Sequence, residues 1–263
     1  MWTALSRNKH EARRRRELSM RRTFLLAAAG TLLGGRAMAQ AFTEAQRAEI
    51  IGIIRDALKN DPTILREAFG AIQAAEERDR ENAQRGAIAE HRDAIFGVAS
   101  DPVRGNPRGD VTIVEFFDVR CPYCKRLHAE MAPLLRRDGN IRVVMKDLPI
   151  LGPQSVVASR ALLAAQKQGK YAELYDALMG LRGEPTYAAI RREAERVGLD
   201  AARLRRDMED PAIQQRLDAN IALARSLRIE GTPALIIGET LVPGALPVAQ
   251  IEQMVAAERR RTR

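Results

Sequence analysis

The chain has 263 residues, 46% hydrophobic and 4% aromatic, which allows one or two domains with aliphatic, helix-rich cores. Its formal charge of +9 is concentrated at the start: residues 1–39 hold nine Lys/Arg against two Glu, leaving +2 for the remainder. No basic groove is indicated, and no nucleic-acid partner is expected.

Residues 1–39 read as an export signal peptide. Arg21-Arg22 precedes the apolar run Phe24 to Leu33 and the small-residue site Ala37-Met38-Ala39, so cleavage is expected after Ala39 and the mature chain in the periplasm. The apolar run is too short to span a membrane as a mature helix. The paired arginines approach a twin-arginine signal, but such pairs are common in any leader and general export is favoured. The long stretch ahead of them makes Met20 a second candidate start beside Met1.

Residues 40–93 read as a helical oligomerisation stalk and charged spacer. From Phe42 to Leu58 the apolar residues Ile50, Ile51, Ile53, Ile54, Ala57 and Leu58 fill a wide helical face. Asn60-Asp61-Pro62 ends that helix and starts another, with Asp61 as N-cap and Pro62 at the first position. The second repeats the pattern with Ile64, Leu65, Ala68, Phe69, Ile72 and Ala75. Two short helices with faces this broad cannot bury both against each other. Residues 76–93 offer no cover, since ten of the eighteen are charged, and read as a solvated helix with Glu76/Arg80 and Glu81/Arg85 pairs. The economical reading makes residues 41–75 an oligomerisation module held away from the rest; the alternative is a helical cap folded back on it.

Residues 94–263 read as the catalytic domain. Asp101 to Pro107 suggests a short edge strand and turn, and Gly105 to Gly109 is turn chemistry, not a phosphate loop, so no cofactor is expected. Val111 to Phe117 is a β-branched and aromatic run typical of a buried strand. The chain's two cysteines follow at Cys121 and Cys124, and then Leu127, Met131, Leu134 and Leu135 at helical spacing. At a strand-to-helix junction, unpaired backbone N–H groups and the helix dipole stabilise a Cys121 thiolate, while Cys124, one turn in, is expected to be buried and less reactive. Pro122 suits the first helical turn. A structural disulfide, a metal site including His128, and a chance C-x-x-C are the blander readings. The first would gain roughly 2 kcal/mol for so small a loop, and the second lacks a fourth ligand.

Asp138-Gly139-Asn140 turns into a strand over Ile141 to Leu148, an order that suits a parallel crossover. A helical block follows: Ser155 to Lys167, Tyr171 to Met179, Tyr187 to Val197, Ala201 to Met208, and Pro211 to about Leu227. Thr232-Pro233 then opens the apolar run Ala234 to Ile237, where an X-Pro bond of unusual geometry, such as cis, is one explanation. Gly238-Glu239 reads as a hairpin turn before Thr240 to Val242, and Pro247 starts a closing helix.

VEFFDVRCPYCK, the helical block and GTPALIIG in combination resemble the DsbA family of thiol-disulfide oxidoreductases, over roughly residues 101–257. The resemblance implies an α/β thioredoxin fold with a helical insertion at about 153–228. It makes Cys121 the nucleophile and Cys124 the resolving thiol of a redox-active disulfide, and Pro233 a cis-proline preceded by Thr232. It makes Glu115 a buried acid relaying a proton to or from the inner cysteine; the alternative is an edge-strand carboxylate facing water. Implied partners are proteins with thiols or disulfides and a membrane redox partner that resets the pair. Pro-Tyr between the cysteines departs from the Pro-His of strongly oxidising members and leaves the potential open. The segment from Phe42 to Ile72 resembles the N-terminal region of ScsC-like and Com1-like members, some of which trimerise through it, so a homo-oligomer is expected.

An isomerase or reductase is preferred over a dithiol oxidase, because a monomeric oxidase needs neither stalk nor spacer. A binding protein, either chaperone or Cu(I) scavenger, is the competing class.

Overall fold

The computed structural model describes residues 42–262; the expected export signal lies outside them. Among them two units are distinguished, residues 42–70 and 71–262.

In the first unit, α1 (Glu44–Asn60) opens on a capping box. The Thr43 hydroxyl accepts the Gln46 N–H at 3.2 Å and the Gln46 side chain accepts the Thr43 N–H at 3.0 Å. Asp61 ends α1 and caps the next helix, α2 (Thr63–Glu90), by accepting the Thr63 N–H at 3.0 Å. No residue of α1 is buried, and Ile50, Ile51, Ile53, Ile54, Ile64, Leu65 and Phe69 are all exposed.

In the second unit, α2 carries the charged stretch as far as Glu90. The expected Glu76/Arg80 and Glu81/Arg85 pairs are replaced by closer partners: Arg80 meets Glu77 at 3.3 Å and Arg85 donates to Asn82 at 2.8 Å. Neighbours three apart are as reachable on a helix as those four apart. Near its end Ile88 is buried and packs with Ile95 of α3 (Arg92–Phe96), so this part of the stretch read as a spacer takes part in a core.

Five strands follow: β1 (Val103–Gly105), β2 (Val111–Phe117), β3 (Ile141–Asp147), β4 (Ala234–Ile237) and β5 (Thr240–Pro243), in sheet order β1-β3-β2-β4-β5. β2 and β3 are parallel and are joined by α4 (Pro122–Arg137); the other pairings are antiparallel. β2 is the middle strand and is covered on both faces, which is why its sequence is a nearly continuous apolar run. Alternation sends Val114 and Phe116 to one core with Val144, Ile236 and Ile88, and Ile113 and Phe117 to the other with Met145, Leu235 and Ile237.

Between β3 and β4 lie α5 (Pro153–Gln166), α6 (Tyr171–Gly180), α7 (Tyr187–Arg196), α8 (Ala201–Met208) and α9 (Pro211–Ser226). Asp200 and Asp210 cap the last two by accepting N–H groups of Arg203 and Ala212. The β4–β5 hairpin turns at Gly238, whose φ of 60° favours glycine. The closing helix α10 (Val248–Arg261) lays Ile251 and Val255 on the Ile113 face of the sheet.

Candidate active site

The sheet order decides what meets what. β2 and β4 are antiparallel neighbours with Phe116 opposite Ala234, so the loop leaving β2 and the loop entering β4 come to the same end of the sheet. The first carries Cys121, the second Thr232-Pro233.

Asp118 shapes the first loop. Buried at the end of β2, it accepts the Arg120 N–H at 2.8 Å through one carboxylate oxygen. The other takes the Ile150 and Leu151 N–H groups at 2.9 and 3.0 Å, and its carbonyl accepts the Cys121 N–H at 3.0 Å. Arg120 ties the same turn outward, donating to the Leu151 carbonyl and to Glu184 at 2.8 Å. Cys121 is the N-cap of α4 without a capping side chain, and Pro122 takes the first turn. The free N–H groups of that turn face the sulfur.

The two thiols are held in opposite states. The Cys121 thiol is lowered from 9.0 to about 5, chiefly by the hydrogen bond from the Cys124 thiol and, against burial, by Thr232 and the Cys124 and Tyr123 N–H groups. Burial pushes Cys124 far up, and its bond to Cys121 adds to this. Only 4% of Cys121 is exposed, since the Thr232 carbonyl oxygen stands 3.1 Å from Sγ, whereas Tyr123 beside it is open. The Thr232–Pro233 bond is cis.

Glu115 does not face water, and the edge-strand reading fails because β2 is central. It is 1% exposed on the face shared with Ile113 and Phe117. The Tyr175 hydroxyl donates to its Oε1 at 3.5 Å, and Oε2 has no partner among the described residues. Burial pushes this carboxyl up to about 7, against the pull of Arg104 and His128 and the Tyr175 hydrogen bond. Glu115 in turn adds to the upward push on Cys124. His128, weighed as a metal ligand, instead places Nε2 2.9 Å from Asp176 Oδ1.

The structure thus gathers Cys121, Cys124 and Thr232-Pro233, with Glu115 behind them. Sequence reasoning missed Asp118, Arg120, Arg104, Tyr175 and Asp176. Tyr171 and Tyr175, two of four tyrosines and spaced i,i+4, were the available hint.

A thiol pair at the head of the helix after a central strand, faced by a cis-proline loop from the adjoining antiparallel strand, defines a thioredoxin-fold dithiol protein. Helices α5 to α9 inserted before that loop narrow it further. Residues 112–256 match the model of the DSBA-like thioredoxin domain, and residues 46–78 that of the copper resistance protein ScsC N-terminal domain. The chain belongs to the DSBA-like thioredoxin-domain family. A solved thioredoxin-like oxidoreductase from Silicibacter pomeroyi is 44% identical, with 64% of this chain and 98% of that one covered and a TM-score of 0.63. Proteus mirabilis ScsC in a transitional conformation is 31% identical, with 84% and 98% covered and a TM-score of 0.62. Among curated relatives, the Na(+)/H(+) antiporter NhaA 1 of Salinispora arenicola is 34% identical over 139 residues, which are 52% of this chain and 21% of that protein. The chain therefore spans about a fifth of that relative's length, and no helix among the described residues is long and apolar enough to cross a membrane.

Proposed function

We propose that this chain is an exported thiol-disulfide oxidoreductase that exchanges disulfides with client proteins through Cys121 and Cys124. The observation that carries the reading is the placement of the two thiols: Cys121 stands at the head of α4 against Thr232-Pro233, with its thiol lowered to about 5, and Cys124 lies fully buried one turn in, with its thiol pushed far up. Cys121 attacks a client disulfide and Cys124 resolves the mixed disulfide, releasing a client thiol. Glu115, at about 7, takes the Cys124 proton near neutrality. Thr232 and Pro233 form the wall against which the client sulfur is aligned. The family match, and the likeness to an oxidoreductase at 44% identity, support the same chemistry.

Within this class the preferred reading is isomerase or reductase. Residues 41–75 expose a run of isoleucines and Phe69 that suits association with further copies, and several active sites on one assembly help to hold a misfolded client. The second reading is a dithiol oxidase, favoured by the same Cys121 anion, because stabilising the reduced form makes a disulfide more oxidising. Refolding of scrambled ribonuclease by the reduced protein, compared with oxidation of reduced ribonuclease by the disulfide form, separates them. Recovery by the reduced protein supports isomerase, and rapid stoichiometric oxidation supports oxidase. The expected location is the periplasm, with a membrane redox partner to reset the pair.

A further inference from the structure

Glu115 has little access to solvent of its own, yet a proton taken from Cys124 has to leave it. Two basic side chains draw on this carboxylate, Arg104 and, in its protonated form, His128. Arg104, from the edge strand β1, lays its guanidinium 4.5 Å over the Tyr175 ring, and His128 sets its ring edge-on to the same tyrosine at 5.3 Å. Both end on one atom, Asp176 Oδ1: Arg104 Nη2 at 2.8 Å and His128 Nε2 at 2.9 Å. Arg104 carries its charge at every pH, whereas histidine is the side chain whose charge changes in the ordinary working range. Asp176 is 53% exposed in its side chain, so the switchable cation sits where the buried network meets water. His128 also lies one helical turn beyond Cys124, on the same side of α4.

We propose that His128 is a positioning residue for the resolving step: as an imidazolium held by Asp176, it keeps Glu115 ionised and ready to receive the proton of Cys124. The proposal rests on Glu115 being that acceptor. In the step, the Cys124 S–H proton passes to the Glu115 carboxylate and the thiolate attacks Cys121 Sγ. The Cys121–Cys124 bond forms, the Cys121–client bond breaks, and the client sulfur leaves as a thiolate with the electron pair. The enzyme dithiol is oxidised, the client disulfide reduced, and Glu115 returns its proton to water. The other ionisable groups acting on or feeling Glu115 are Cys124 from α4, Arg104 from β1, and Tyr175 and Tyr171 from α6, with Cys121 reached through Cys124 and Asp176 through Arg104 and His128. Asp147 lies on the same face of β3, bonded to Tyr171 at 2.9 Å, and β4 offers the apolar Leu235. Of these, His128 alone combines a switchable positive charge with a bond to an exposed carboxylate.

The test loads Cys121 of the full chain with thionitrobenzoate and follows release of the coloured anion by Cys124 as a function of pH. His128→Gln is expected to move the midpoint upward by about half a pH unit or more. His128→Lys, a permanent cation, is expected to bring it back to the wild-type position or below. Neither is expected to move the pH at which Cys121 itself is alkylated. A His128→Gln profile coincident with wild type, or a His128→Lys profile coincident with His128→Gln, overturns the proposal. Glu115→Gln separates the two layers: loss of the pH step with an unmoved His128→Gln profile sinks the role of His128 alone. A Glu115→Gln profile like wild type sinks the acceptor reading and this proposal with it.

Discussion

Cys121 Sγ stands 3.1 Å from the carbonyl oxygen of Thr232, 111 residues further along the chain. Neither residue's neighbours in sequence produce that contact. It follows from β2 and β4 pairing antiparallel, so that the end of one strand and the start of the other deliver their loops to one place. The five-helix block between them is the length of chain this pairing has to close, and its own core fills the space over the Ile113 face of the sheet.

The buried acid gives a prediction in stability. Burial raises Glu115 from 4.5 to about 7, so over that interval the folded protein holds a proton that the unfolded chain has lost. Stability therefore falls as pH rises through the interval, and above it ionisation costs the fold on the order of 3 kcal/mol. Glu115→Gln should unfold at a higher temperature than wild type at about pH 8 and near the same temperature at about pH 4. An equal difference at both pH values would show that the carboxylate is not being forced to ionise in the dark of the core.

A buried charge pair lies on the other face of the sheet. Lys146 Nζ meets Asp101 at 2.5 Å with both side chains 2% exposed, and donates to the Ala94 carbonyl at 2.7 Å. Asp101→Ala leaves that ammonium without its carboxylate, at a cost of about 3–5 kcal/mol. The double change Asp101→Leu with Lys146→Met should recover most of it. Denaturant unfolding measures both, and a single variant as stable as wild type would mean the pair is not buried as described.

The exposed isoleucines give a prediction in mass. Size-exclusion chromatography with light scattering on a chain lacking residues 40–75 should report a monomer, against an oligomer for the mature protein. The same mass per particle for both would remove the oligomerisation reading of residues 41–75.

The sequence carried the framework well because local signals dominate it. The strand from Val111 is β-branched, three of the five helices of the inserted block open on Asp or Pro, and Gly238 marks the hairpin. The two cysteines were legible as chemistry because strand, C-x-x-C and helix are contiguous. Glu115 was legible only through the family resemblance, since by itself one carboxylate in an apolar run reads equally as an edge residue until the sheet order makes β2 central. Arg104, His128, Tyr175 and Asp176 were out of reach for the same reason: three elements bring them together, and no spacing in the chain links Arg104 to Asp176. The ion pairs along α2 were misjudged because helical geometry offers two partners at similar reach, and spacing does not choose between them.

The most direct test of a Cys121 thiolate backed by a buried Cys124 thiol is alkylation of the reduced protein across pH, with peptide mapping to read each sulfur separately. Cys121 is expected to react with a midpoint near the value of about 5 to which its surroundings bring it, while Cys124 stays unmodified in the folded protein. Modification of Cys121 with the midpoint of an ordinary thiol, near 8.5, or equal modification of the two cysteines, would contradict it.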